Sequence, residues 1–316
     1  MKQRYYGQHA QVLQRELLQA IPKEDLKLLH RKNPLRHGLI AFRQFSLLAL
    51  CTYGIIHFTS SWLWFPLSVL LGLTIFNFTV LLHEVVHHGV FNKPYPMAER
   101  VLALLYAIPS GISATQFSRW HLDHHAELGS MDDPKRNHLS PKKNHRWLKL
   151  LYATPCLFFI YFRAAAAETA GYDTLSQRLI AKERWISITT HLAYAASVGY
   201  YFGSPALFKA YLIPVFFIFP IAFTLNRLGQ HYAIDPTDPA KWSTLMLSHP
   251  VWNQVYLYSN LHLEHHYFPG VPCYNLPKLQ KRLRSFYESK NMVAMGYGKL
   301  LYGWILQNRK AHSLWK

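Results

Sequence analysis

The chain has 316 residues, with 34 Lys and Arg against 16 Asp and Glu, a formal charge of +18 at neutral pH, and 19 His. Half of the residues are hydrophobic and 15 % are aromatic, which excludes a disordered chain because so much apolar surface collapses. Cys51, Cys156 and Cys273 are odd in number and far apart, which excludes a disulfide scaffold and suits a reducing compartment or a membrane interior. A mean hydropathy of -0.03 resembles that of a soluble basic protein, so the placement of the charges has to decide.

Residues 1–38 are polar and of mixed charge, without the apolar run of a signal peptide. Four segments nearly free of charge follow, at residues 39–57, 62–82, 185–203 and 207–225. Each has about 19 to 21 residues, roughly 30 Å as a helix, which matches the hydrocarbon thickness of a bilayer. Arg43 and Lys209 sit near the starts of the first and fourth, where a long side chain can reach the interface. The short connections Phe58-Thr59-Ser60-Ser61 and Ser204-Pro205-Ala206 make two hairpins of the four spans. Between the hairpins, residues 101–117 and 148–162 are apolar but interrupted by Pro109, Gly111 and Pro155, as in interfacial or re-entrant helices. Residues 276–287 alternate Lys and Arg with apolar residues at helical spacing, which predicts an amphipathic helix on the membrane surface or the cap.

Residues 1–38 hold eight Lys and Arg, residues 83–184 thirteen and residues 226–316 eleven, while the hairpin turns hold none. By the positive-inside rule, the termini and both regions, 83–184 and 226–316, are cytoplasmic. The basic excess then reports orientation and attraction to anionic headgroups. No basic helix, zinc-finger spacing or aromatic RNA motif points to nucleic acid. The predicted fold is an all-α integral membrane protein, a single domain over residues 1–316. Its four transmembrane helices pair as two hairpins beneath a cytoplasmic helical cap.

The histidines carry the chemistry. His83-Glu84-Val85-Val86-His87-His88 follows the second span, His121-Leu122-Asp123-His124-His125 follows the first interfacial stretch, and His262-Leu263-Glu264-His265-His266 lies beyond the fourth span. In H-x-x-H-H the imidazoles stand at i, i+3 and i+4, on one face of a helix. His83 and His87, four apart, do the same, whereas His88 points about a third of a turn off their face. Imidazole is a ligand for iron, zinc, copper or nickel, and this many clustered rings exceed the needs of one tetrahedral zinc. A di-metal site is the economical reading. Its expected ligands are His83, His87, His121, His124, His125, His262, His265 and His266, completed by His231 at the end of the fourth span. Asn226, one turn before His231, is a further candidate acting through water. His88 is a weaker candidate, and Glu84, Asp123, Asp132, Asp133 and Glu264 are candidates to accept the second N–H of a ligating ring. The remaining histidines are read as packing or surface residues.

Three boxes of this spacing on one side of two hairpins resemble the integral-membrane fatty acid desaturase superfamily. The stretch Ser259-Asn260-Leu261-His262-Leu263-Glu264-His265-His266-Tyr267-Phe268-Pro269-Gly270-Val271-Pro272, with Tyr274-Asn275-Leu276-Pro277 after it, is similar to that family's third-box region. The resemblance covers about residues 40 to 285 and does not separate acyl-lipid or sphingolipid desaturases from carotenoid hydroxylases and ketolases. It implies two non-haem iron ions and dioxygen as co-substrate, acting on an unactivated C–H bond of a lipid or acyl chain drawn from the bilayer. Two electrons must come from elsewhere. His249-Pro250 is followed by Val251-Trp252, so the His-Pro-Gly-Gly of a fused cytochrome is not there, nor is a nucleotide fingerprint or cysteine cluster. A separate acidic donor, ferredoxin or cytochrome-like, is expected on the basic face. An acyl-chain desaturase is the first reading and a carotenoid or other lipid hydroxylase or ketolase the second. A non-enzymatic metal carrier comes last, because its ionisable groups would lie along the spans.

Overall fold

The computed structural model describes residues 5–58, 61–135 and 144–310. These residues form helices and no strands, with one isolated parallel bridge between Met246 and Met295. They divide into two compact units, one of the described residues within 33–119 and 151–223, the other of those within 1–32, 120–150 and 224–316.

The first unit holds the long apolar helices. Pro34–His57 starts where the Asn33 side chain accepts from the Arg36 N–H at 3.0 Å, with Pro34 in the first turn, where its missing N–H costs nothing. Trp64–Val86 runs back against it: the rings of Phe45 and Phe78 are 4.8 Å apart, and Gly54 faces Leu67. Pro34–His57 begins before the predicted 39–57, at its cap; Trp64–Val86 begins inside the predicted 62–82 and runs past it into the first His box. Thr59 and Ser60 of the predicted turn lie outside the described residues.

Asp173 caps the next helix, Thr174–Leu207, by accepting from the Ser176 N–H at 2.9 Å. The predicted turn at Ser204-Pro205-Ala206 is displaced to Gly203, whose φ of 81° and ψ of 172° break the helix. Glycine takes that conformation without steric cost, and Pro205 then falls in the first turn of the following arm. The chain folds back, so His191 Nδ1 lies 3.2 Å from the Tyr211 hydroxyl and the rings of Tyr194 and Tyr211 are 5.8 Å apart. The return arm contains π-helical turns at Phe208–Leu212 and Pro214–Ile218 before Phe219–Gln230. Pro214, without an N–H, interrupts the regular ladder there. Gly72 lets this arm approach Trp64–Val86: a Cβ would lie 2.5 Å from Ile218 Cβ. Pro34–His57, Trp64–Val86 and the folded run Thr174–Gln230 are long and apolar enough to cross a membrane.

The two predicted interfacial stretches are each broken. Residues 101–117 divide into Pro96–Ala107 and Ala114–Glu127, parted at Gly111 with φ 69°. Pro155 separates Arg146–Ala153 from Cys156–Ala170, which meet at 91°. Buried Glu183 accepts from Arg100, from the Ser113 hydroxyl at 2.6 Å and from the Thr115 N–H at 2.9 Å. Its carboxylate thus sits at the start of Ala114–Glu127, where a helix favours negative charge.

The second unit is assembled from separate stretches. Tyr5–His9, Gln11–Ala20 and Lys23–Leu29 pack with the carboxy-terminal helices through Asp25–Arg282 at 3.2 Å, Glu16–Lys290 at 2.7 Å, and Asn275 Nδ2 donating to the Leu29 carbonyl at 2.9 Å. The amphipathic helix predicted over residues 276–287 is two pieces, Leu276–Arg282 and Arg284–Ser289. Leu279, Leu283, Phe286 and Tyr287 are buried, while Lys278, Lys281, Arg282 and Arg284 are exposed. Lys149 Nζ donates to the carbonyls of Trp304 and Arg309 at 2.8 and 2.9 Å, fastening the last described helix.

Candidate metal centre

Two H-x-x-H-H sequences become two helical faces in the second unit. Ala114–Glu127 presents His121, His124 and His125; the six-residue helix His262–Tyr267 presents His262, His265 and His266. All are buried except His125, which is half-buried. His231 follows directly after Phe219–Gln230.

Four of these rings converge. His124 Nε2 lies 3.0 Å from His231 Nε2, and His266 Nε2 lies 3.3 Å from His231 Nε2 and 3.1 Å from His262 Nε2. Their outward nitrogens decide the protonation. His124 Nδ1 donates to Asp133 Oδ1 at 2.7 Å, because a carboxylate can only accept. His231 Nδ1 donates to the Trp242 carbonyl at 3.3 Å. A neutral imidazole has one N–H, so in the neutral rings these outward bonds turn the Nε2 lone pairs of His124 and His231 towards each other, 3.0 Å apart. Two such lone pairs can be shared by one cation lying between them. With metal–nitrogen bonds of about 2.1 Å, ligand nitrogens are ~3.0 Å apart at right angles and ~3.4 Å apart in a tetrahedron, which brackets the observed spacings. The donor set fits a metal ion, and imidazole suits iron.

A second group adjoins it. His121, His125 and His265 each bring a ring nitrogen within 4.8 Å of the others. His125 and His265 meet at 3.2 Å between Nε2 atoms. The rings of His125 and His266 are 4.3 Å apart, which makes the two groups neighbours.

Burial holds His124 and His266 well below the ordinary imidazole pKa, and neighbouring cationic groups add to the effect. Both rings are therefore kept neutral, the form that ligates metal. Lys135 Nζ lies 2.6 Å from His121 Nδ1, and burial, reinforced by Arg227, pushes its ammonium pKa far down. Neither Lys135 nor the Trp242 carbonyl was foreseen: a carbonyl has no sequence signature, and Lys135 has no distinguishing spacing.

The other predicted residues divide. Asp133 pairs with His124. Asp132 is exposed and Asp123 half-buried. Glu264 is fully buried but its Oε1 accepts from Gln280 at 2.7 Å and Tyr287 at 2.8 Å; burial raises its pKa. Asn226 gives its amide to Ser259 at 2.9 Å and accepts from Gln230 at 2.7 Å. In the first unit, His83 and His87 stand one turn apart at the end of Trp64–Val86, ring centroids 4.9 Å apart, and buried Glu84 lies 4.0 Å from His83. His88 turns away with φ 53°, is 67 % exposed, and bonds Glu99 at 2.8 Å.

The model of the fatty acid desaturase family matches residues 60–297. The chain belongs to the fatty acid desaturase family. Among this desaturase's relatives is the sphingolipid delta(4)-desaturase DES1 of Drosophila melanogaster, 24 % identical over 252 residues that cover 78 % of this chain and 74 % of that protein. The human sphingolipid delta(4)-desaturase/C4-monooxygenase DES2 is 24 % identical over 239 residues, covering 72 % and 68 %. A rice protein, sphingolipid delta(4)-desaturase DES1-like, is 25 % identical over 239 residues. The family and these relatives make the chain an oxidoreductase of lipid metabolism, and its long apolar helices make it a membrane protein.

Proposed function

We propose that this desaturase introduces a double bond into the hydrocarbon chain of a membrane lipid, using dioxygen at a centre of two iron ions. The observation that carries the reading is the convergence of ring nitrogens from His124, His231, His262 and His266, with the Nε2 atoms of His124 and His231 facing each other at 3.0 Å. These four hold one ion. His121, His125 and His265 belong to the other, and His83 and His87 are the further ligands assigned by motif. Bound iron supplies redox chemistry: dioxygen, two electrons and two protons remove two hydrogens from adjacent carbons and leave as two waters. The chain's own residues set the site. Asp133 and the Trp242 carbonyl hold two rings in the tautomer that turns Nε2 inward, and burial keeps the imidazoles neutral.

The whole chain, residues 1–316, works as one domain with four spans, its termini and histidines cytoplasmic, as the distribution of basic residues supports. An acidic one-electron carrier, ferredoxin or cytochrome-like, docks on the exposed Lys278, Lys281, Arg282 and Arg284. Turnover of the purified enzyme with NAD(P)H and no added protein would exclude that carrier.

Sphingolipid is the substrate class to try first, since it stands in the names of the relatives. The printed name of the human relative joins desaturase with C4-monooxygenase, which favours hydroxylation of the same chain as the second reading. One oxygen atom is then kept in the product and one water leaves. Expression in a lipid-defined host with mass spectrometry of sphingolipids, acyl lipids and carotenoids tests the proposal. A new double bond supports it, a hydroxyl supports the second reading, and an unchanged profile with iron-replete protein and a supplied donor refutes both. His124→Ala and His265→Ala should each abolish the new product and lower bound iron.

A further inference from the structure

Residues 5–32 lie outside the stretch matched by the family model, yet they are built into the unit that carries the four converging histidines. Ala10, Leu13, Leu17 and Ile21 are at most 5 % exposed. The ring centroids of Tyr5 and Tyr6 lie 5.8 and 6.1 Å from that of Trp242, and the Tyr6 hydroxyl lies 3.5 Å from the carbonyl of His266.

Trp242 is held from two further sides. Its indole N–H donates to the Pro236 carbonyl at 3.0 Å. Its ring also fills the space over Gly129, two residues beyond the box-bearing helix Ala114–Glu127. A Cβ on Gly129 would lie 2.4 Å from the indole, and Gly129 has φ +89°. The backbone of Trp242 carries the carbonyl that receives the Nδ1–H of His231. A carbonyl has no handle of its own; the ring attached to the same residue fixes its direction. When that ring shifts, the carbonyl swings, and His231 loses the partner that defines its tautomer and plane.

We propose that the helix Tyr5–His9 clamps the Trp242 ring against Gly129 and thereby sets the imidazole of His231, which makes Tyr5 and Tyr6 positioning residues of the four-histidine site. The inference rests on the metal reading of that site and goes beyond the ligands themselves.

Co(II) titration of the metal-free, detergent-purified chain tests it, followed by visible absorption, which reports both affinity and coordination geometry. Tyr5→Ala/Tyr6→Ala is expected to melt cooperatively while one class of Co(II) binds about 10–100-fold more weakly, the usual effect of losing a ligand's supporting partner, with displaced bands. Tyr6→Phe keeps the ring and is expected to bind as wild type. The single variants Tyr5→Ala and Tyr6→Ala carry the same expectation at smaller size, should the double variant not fold. Wild-type affinity and bands in the alanine variants would overturn the inference alone. Absence of Co(II) binding by the wild-type chain would overturn the metal reading, and the inference with it.

Discussion

Removing the carboxylate of Asp133 isolates one contact of the proposed metal site. Its Oδ1 lies 2.7 Å from His124 Nδ1 and 2.8 Å from the Lys135 N–H, and both side chains of the Asp133–His124 pair are at least nine-tenths buried. In Asp133→Ala the Nδ1–H of His124 loses its acceptor, the other tautomer becomes accessible, and the ring can rotate. A hydrogen bond to a charged group contributes about 1.5–3 kcal/mol. Loss of an outer partner weakens metal binding by about 10–100-fold, or roughly 1.4–2.8 kcal/mol; the two ranges overlap. Asp133→Asn keeps an oxygen acceptor at the same place and is expected to lose tenfold or less. Co(II) titration and iron content of the purified protein measure both. Binding by Asp133→Ala within twofold of wild type would refute the tautomer-fixing role.

Other outcomes follow from the same geometry. Gly129→Ala combines a positive φ with overlap onto Trp242, so it should destabilise by about 2–4 kcal/mol, read as a lower melting midpoint. Glu183→Ala removes the acceptor of Arg100, Ser113 and Thr115. It should cost about 2–3 kcal/mol, below the ~3–5 kcal/mol of a fully buried pair, because Arg100 is 38 % exposed. His88→Ala removes the exposed partner of buried Glu99, a loss of about 1–3 kcal/mol, and should leave metal affinity within about twofold; a collapse of binding would restore His88 to the ligand set. Metal at a hundred times its Kd stabilises a fold by about 2.7 kcal/mol, so chelation should lower the melting midpoint of the wild-type chain, and should do so less in His124→Ala.

The long apolar helices and the histidine faces were legible because each rests on a short-range rule: charge-free runs of span length, and rings at i, i+3 and i+4. What escaped was set by backbone conformation or by distant contact. Gly203, rather than the adjoining Ser-Pro-Ala, makes the second turn, since glycine alone there takes φ 81° freely. Glu264, expected to support a ligand, stands two residues after His262, most of half a turn away from the histidine face, and it faces Gln280 and Tyr287 instead. Asp133 was legible as a candidate, but its pairing with His124 needed the turn through Gly129, with φ 89°, to bring it back to the helix. The roles of Trp242 and Lys135 depend on contacts that no local pattern encodes.

The scattered make-up of the histidine-bearing unit also orders events during synthesis. His125 meets His265 across 140 residues, and the Tyr6 hydroxyl meets the carbonyl of His266 across 260. At about 5–20 residues per second, a ribosome needs roughly 13–52 s to make the partner of Tyr6. Throughout that interval the first helices and the middle histidines exist without the third box. The four-histidine pocket therefore closes only near the end of translation, after the long apolar helices have been made. A chain that stalls just before residue 262 therefore holds His121, His124, His125 and His231 without the three histidines of the third box.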